Sequence, residues 1–228
     1  MSRFGTMLAL LRPTAYAMRW VPLLAACGFG LAVVGVPSAT AVVLSAEDLS
    51  TLLRVGAMAG ALGAAFVLDD PAERSIAVVP TQRPARHLLR VLIALPVLAA
   101  WWVGMLAVTV AGAGPGIGPV VPLADLTVEA TAIVALVVAL AAMARRRSES
   151  GIVSTVAAPA LLVGLVVLYL VPERIALFVV PDDPRWAAAH DRWSVLAILA
   201  LAGFLRAGIE PIRRPPWSRP GAARRLTG

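Results

Sequence analysis

Asp125 and Glu129 are the side chains best spaced for chemistry in this 228-residue chain. They fall one helical turn apart at the start of an apolar run, so they share a face and could act as acid and base. The same spacing suits two carboxylates at a membrane interface, beside the positive end of a helix. Arg54, near the end of another apolar run, is placed to snorkel or to pair with one of them. His87 and His190 fall where they would lie at opposite membrane faces, so they cannot share a metal. Cys27, the single cysteine, excludes an internal disulfide, and inside an apolar run it reads as packing rather than a nucleophile. All 20 basic residues are arginine. Without lysine there is no complete G-x-x-x-x-G-K-[ST] phosphate loop and no Schiff base. The centres of the apolar runs carry no other charge, which argues against an ion-coupled transporter and against an intramembrane hydrolase. The chain therefore reads as no enzyme by itself, with no catalytic residue, metal site or cofactor of its own.

The elements that hold these residues are membrane spans. Hydrophobic residues make up 60% of the chain and the mean hydropathy is +0.85, more than a soluble domain of this size can hide. The isoelectric point of about 11.3 does not imply nucleic acid, because the charge sits in short clusters between apolar runs. The expected fold is an all-α polytopic membrane protein, one transmembrane domain over 1–210 with a basic, Pro-rich tail over 211–228. Six spans are expected at about 21–44, 49–68, 87–111, 123–144, 151–171 and 193–209. Ser45 and Asp48 form a capping-box pattern before the second span. Pro96 marks a kink in the third, and Pro159 lies inside the fifth. A Gly/Pro turn covers Gly112 to Pro119.

Before the first span, residues 3–19 read as an amphipathic helix in the interface. Phe4, Met7, Leu8 and Leu11 make one face, with Arg3 and Arg12 outside it and Pro13 interrupting the pattern. Leu24 to Cys27 resembles a lipoprotein cleavage box and Ala39-Thr40-Ala41 a signal-peptidase site. The apolar run continues past the first and further spans follow the second, so a retained helix is expected. In the six-span arrangement 16 arginines fall on one side and Arg54, Arg174, Arg185 and Arg192 on the other, which puts both termini in the cytoplasm. In the second span, Gly56 and Gly60 form a G-x-x-x-G pair, expected to pack against a helix within the bundle or at a dimer seam.

Two connections carry more than a turn. Asp69 to Arg90 is polar: Asp70 can cap a helix, Pro71 suits its first position, Glu73 follows three residues after the cap, and Pro80 ends it. A second start follows around Thr81 to Pro84. Its charges are Asp69, Asp70 and Glu73, then Arg74, Arg83 and Arg86, and its apolar residues include Ile76, Val78 and Val79. On the opposite side, Pro172, Glu173 and Arg174 can open a helix through Val180 that carries Phe178. Asp183 and Pro184 can start another, through Trp186 to His190. The apolar run from Ile175 to Val180 is too short to cross, so it is expected to re-enter the outer leaflet.

Taken together, six spans, an interfacial N-terminal helix and the D-D-P…P-T-x-R-P…R pattern of Asp69-Asp70-Pro71, Pro80-Thr81, Arg83-Pro84 and Arg86 resemble the permease subunits of type-2 ATP-binding-cassette exporters. The match is best to actinobacterial members, and it rests on topology and loop grammar across nearly the whole chain. The resemblance implies a multi-pass protein of the bacterial plasma membrane that forms the substrate path as a dimer, with a second copy or a related permease. It implies that the 69–90 loop carries a coupling helix docked in a separate ATPase subunit, which would bind ATP and Mg. It implies that the N-terminal helix touches the same subunit and that short outer-leaflet helices precede span six. The loop over Arg145 to Ser150 is barely more than a turn, which leaves little room for a second ATPase contact. The alternative is a non-transporting membrane interaction or immunity protein.

Overall fold

The computed structural model describes residues 11–40, 44–69, 83–114, 116–147 and 152–208, with side chains omitted for 83–87, Pro119 and Arg147. The described residues form seven helices and no strand. Helix α1 is described over 11–17. It is followed by α2 (Trp20–Ala39), α3 (Ala46–Ala64), α4 (Arg83–Gly112), α5 (Leu123–Arg147), α6 (Ser154–Tyr169) and α7 (Trp186–Gly208).

Local sequence accounts for several boundaries. Pro13 lies within the helix described over 11–17 and does not interrupt it. The break comes at Met18 and Arg19, where the Trp20 indole Nε1 donates to Ala15 O at 2.7 Å. The Ser45–Asp48 capping box is present: the Asp48 amide donates to Ser45 Oγ at 3.1 Å and the Ser45 amide to Asp48 Oδ2 at 3.0 Å. Helix α4 is described from Arg83, in agreement with the expected start around Thr81 to Pro84, so Arg83, Pro84 and Arg86 lie on it. Helix α7 starts at Trp186, well before the expected Trp193, because the Asp183-Pro184 start runs on into the apolar helix without a break.

Among the described residues four helices are long and apolar enough to cross a membrane: α2, α4 from Leu88, α5 to Arg146, and α7. Helix α6 has 16 residues, about 24 Å against a hydrocarbon core of about 30 Å. Helix α3 carries Glu47, Asp48 and Arg54. Its composition follows from its place. It packs against α2, α4 and α5, and most of its length, from Leu49 through Ala64, is buried. Helix α5 is the second interior element and touches α3, α6 and α7. The outer helices turn apolar side chains outward, among them Phe29 on α2, Leu92 and Val103 on α4, Val163 and Val167 on α6, and Ile198 and Leu205 on α7. Such a surface matches lipid rather than water.

The chain runs up and down the bundle. At one end the start of α2 meets the end of α3, and the start of α6 meets both. At the other end, α2 closes on α4 through Ser38 and Gly112, and the start of α5 meets the start of α7.

The small residues of α3 serve the interior of the bundle. A Cβ on Gly60 would lie 2.3 Å from the Trp101 ring, and one on Gly56 would lie 2.1 Å from Met105 Cε. Trp101 fills the seam between α2, α3 and α4, and its Nε1 donates to Cys27 O at 2.8 Å. Of the two expected partners for the G-x-x-x-G face, a helix of the same bundle is the one present. Gly60→Leu is therefore expected to destabilise the bundle by about 1–3 kcal/mol, measured as unfolding in a detergent series. Trp101→Leu in the same chain should recover part of the loss. Gly28→Leu, where a Cβ meets nothing within 4 Å, is the control expected to cost little.

Candidate functional site

Three helices bring one ionisable side chain each to a common point inside the bundle. Arg54 lies two turns below the Ser45 cap of α3, Glu129 in the second turn of α5, and His190 in the second turn of α7. At about 1.5 Å per residue this places the cluster roughly 6–13 Å below the helix ends. Arg54 Nε and Nη2 donate to Glu129 Oε2 and Oε1, both at 2.7 Å. This is the two-pronged geometry in which a guanidinium satisfies a carboxylate best. His190 Nε2 lies 3.0 Å from Glu129 Oε1, and its Nδ1 lies 2.8 Å from Trp186 O. The Glu129 side chain is 1% exposed and that of Arg54 11%. A carboxylate so buried is retained only when it is paired and fully hydrogen-bonded.

Aromatic rings close the site. The Arg54 guanidinium carbon sits 5.8 Å from the Phe178 ring and 5.6 Å from the Trp186 ring, within the reach of cation–π attraction. Trp186 Nε1 donates to Asp125 Oδ2 at 2.6 Å, and its ring lies 4.3 Å from that of His190. Asp125 thus orients the tryptophan that covers the Arg54–Glu129 pair.

The segment before α7 differs from its expected form. One 3-10 turn, Glu173–Ile175, follows Pro172, and residues 176–180 are not helical. Leu177 and Val179 point inward and Val180 outward, as in an extended strand of chain. Side chains of α7 replace the missing helical hydrogen bonds. Arg192 donates to Ala176 O at 2.8 Å and to Arg174 O at 3.2 Å, and Trp193 Nε1 donates to Leu177 O at 3.1 Å. Because α7 satisfies these carbonyls, the apolar run can lie across the bundle end without forming a helix. Asp183 accepts from the Arg185 amide at 2.7 Å and pairs with its guanidinium at 2.6 Å. The hydrogen bond from the Arg185 side chain holds the Asp183 carboxyl down to about 2. A depressed carboxyl stabilises above its unfolded value, so this turn is expected to hold above roughly pH 4. It should loosen as the pH falls through about 2, seen as faster exchange of its amides.

At the opposite end, Asp69 does not belong to an exposed polar stretch. It is fully buried and caps α6: its Oδ1 accepts from the Val153 and Ser154 amides at 2.8 and 2.9 Å, and its Oδ2 from Ser154 Oγ at 2.6 Å. Arg19 lies 3.9 Å away, and Arg90 donates to the Asp69 carbonyl. Arg145 donates to Leu68 O at 2.5 Å, while Arg146 reaches Ala207 O at 2.9 Å and also Arg206 O. These arginines close carbonyl ends of helices, where positive charge is favoured.

The remaining expected site residues divide in two. Leu11 and Arg12 lie on α1, with Arg12 5.9 Å from the Tyr16 ring. Arg3, Phe4, Met7 and Leu8 lie outside the described residues. So do Asp70, Pro71, Glu73, Arg74, Ile76, Val79, Pro80 and Thr81, together with the 211–228 tail. Sequence reasoning missed the partnership of His190 with Glu129. A signal for it exists: Trp186 and His190, like Asp125 and Glu129, are polar-capable residues one turn apart at the start of an apolar helix. Comparison of the chain with protein-family models, with curated proteins and with solved structures finds no match.

Proposed function

We propose that the chain is the membrane-spanning permease subunit of an ATP-driven exporter. In this reading it crosses the plasma membrane six times, with the arginine-rich end in the cytoplasm. Helix α3 crosses shielded by its neighbours, and α6 crosses as the shortest of the six. Two permease chains form the substrate path between them, and a separate ATPase subunit binds the 70–82 stretch and the N-terminal helix.

The observation that carries this reading is the anchorage of Asp69. The residue that begins the polar stretch is clamped to the start of α6, and the stretch ends in the first turns of α4. A push on residues 70–82 therefore reaches α3, α4 and α6 together, which is what a partner that drives a bundle requires. A loop that served only to keep charge in water would need no buried carboxylate at its root.

The test is reversal of the charges in the middle of that stretch. Glu73→Arg with Arg74→Glu is expected to abolish co-purification with the ATPase partner, while the chain still inserts and folds. Retained co-purification would remove the docking role of this stretch. Correct insertion with no ATPase partner at all would favour a non-transporting membrane interaction protein.

A further inference from the structure

We propose that Glu129 and His190 bind a proton between them inside the bundle, and that this proton latches the 172–185 segment and the start of α7 over the end of the bundle. The inference does not depend on an ATPase partner.

His190 Nδ1 faces the Trp186 carbonyl at 2.8 Å, and a carbonyl only accepts, so Nδ1 carries a hydrogen. Nε2 faces Glu129 Oε1 at 3.0 Å. A neutral ring protonated at Nδ1 would turn a lone pair on Nε2 toward a carboxylate oxygen, which has lone pairs of its own. Nε2 is buried and makes no hydrogen bond, although Oε1 lies 3.0 Å away, and a lone pair held there without a partner is costly. A second proton on the ring removes the conflict. The proton resides on the imidazole rather than on Glu129, because both Glu129 oxygens already accept from Arg54.

Charge balance leads to the same state. The groups facing the ring are Glu129 and Asp125 from α5 and Arg54 from α3. On α7 itself, Arg192 is turned to the carbonyls of residues 174 and 176, and Asp191 is exposed. In the 172–185 segment, Glu173 and Asp183 both pair with Arg185, and Arg174 and Asp182 are exposed. Helix α4 has no titratable residue from Val91 to Gly112. Arg54 offsets one of the two carboxylates, and only an imidazolium offsets the other. Burial makes an uncompensated charge here costly. Among the described residues no three His, Cys, Asp or Glu side chains gather as a metal site would need, so the cation suited to this site is the proton.

The proton holds more than two residues together. His190 and Trp186 occupy one face of α7, Trp186 covers Arg54 with Phe178, and Arg192 and Trp193 hold the backbone of residues 174–177. Loss of the proton sets the Nε2 lone pair against Oε1 and pushes the start of α7 from α3 and α5. The latch is therefore closed when His190 is protonated and opens as the pH rises.

The chain has two histidines, so His87→Gln leaves one imidazole to observe. In detergent or nanodiscs, 15N-labelled His190 is expected to show two protonated ring nitrogens at about pH 7, and one of them is expected to become unprotonated in Glu129→Gln. A neutral tautomer in the chain with Glu129 intact overturns the proton site. The latch is read separately, in a Cys27→Ala chain with Val179→Cys as the probe, at a buried position of the segment itself. Maleimide should label this thiol about tenfold faster when His190→Gln is added, since the segment then opens locally. An unchanged rate overturns the latch. If His190→Gln does not fold, labelling of the His190 chain across its ring titration decides instead: a rate that follows only the ionisation of the thiol overturns the latch.

Discussion

Glu129→Leu is expected to cost about 3–5 kcal/mol of stability. The substitution leaves Arg54 and His190 as two cations inside the bundle, both lacking their carboxylate. Arg54 is only 11% exposed and cannot turn to water without carrying Phe178 and Trp186 with it. Arg54→Leu with Glu129→Leu should be much less damaging than either change alone, because it replaces an ion pair by apolar volume. The measurement is a double-mutant cycle on unfolding in mixed micelles, with coupling of at least about 1 kcal/mol expected between contacting residues. Additive losses would mean that the pair contributes nothing as a pair.

Asp69→Ala is the second large effect. Three donors lose their acceptor together, two of them backbone amides at the start of α6. Hydrogen bonds to a charged group contribute about 1.5–3 kcal/mol each, but they are not additive, so a total of about 2–4 kcal/mol is expected. Asp69→Asn keeps one acceptor oxygen and should lose less. Hydrogen exchange should localise the change to the first turn of α6 and the end of α3. In the proposed function the same variant has a distinct signature: the ATPase still binds residues 70–82, yet its cycle no longer drives the bundle. Binding lost together with transport would mean that Asp69 supports the docking surface rather than the linkage.

Interactions confined to a few residues were legible before the fold was known. The Ser45–Asp48 box closes within four positions, so its two hydrogen bonds are written in local spacing. The common face of Asp125 and Glu129 follows from helical periodicity, and the pairing of Arg54 with one of them was foreseeable from their similar depth. Composition excluded a phosphate loop and a disulfide and pointed to apolar helices. Four of these are long and apolar enough to cross a membrane.

What the chain could not declare locally was which distant groups would meet. Arg54 takes Glu129 while Asp125 takes Trp186, because α3 packs on α5 at a depth that only the assembled bundle sets. Asp69 stands at the edge of a polar stretch and reads as part of it, but its partners Val153 and Ser154 lie 84 and 85 residues away. The run from Ile175 to Val180 reads as the continuation of a helix opened at Pro172, yet residues 176–180 are not helical, and Arg192 and Trp193 satisfy the carbonyls of residues 176 and 177 from another helix. Sequence by itself determined the apolar helices and the Ser45–Asp48 cap of α3, since those depend on hydrophobicity and on neighbours within one turn. Tertiary packing decided the identity of each buried charge's partner, since removal from water leaves a charge stable only where another chain segment supplies its counter-charge and hydrogen bonds.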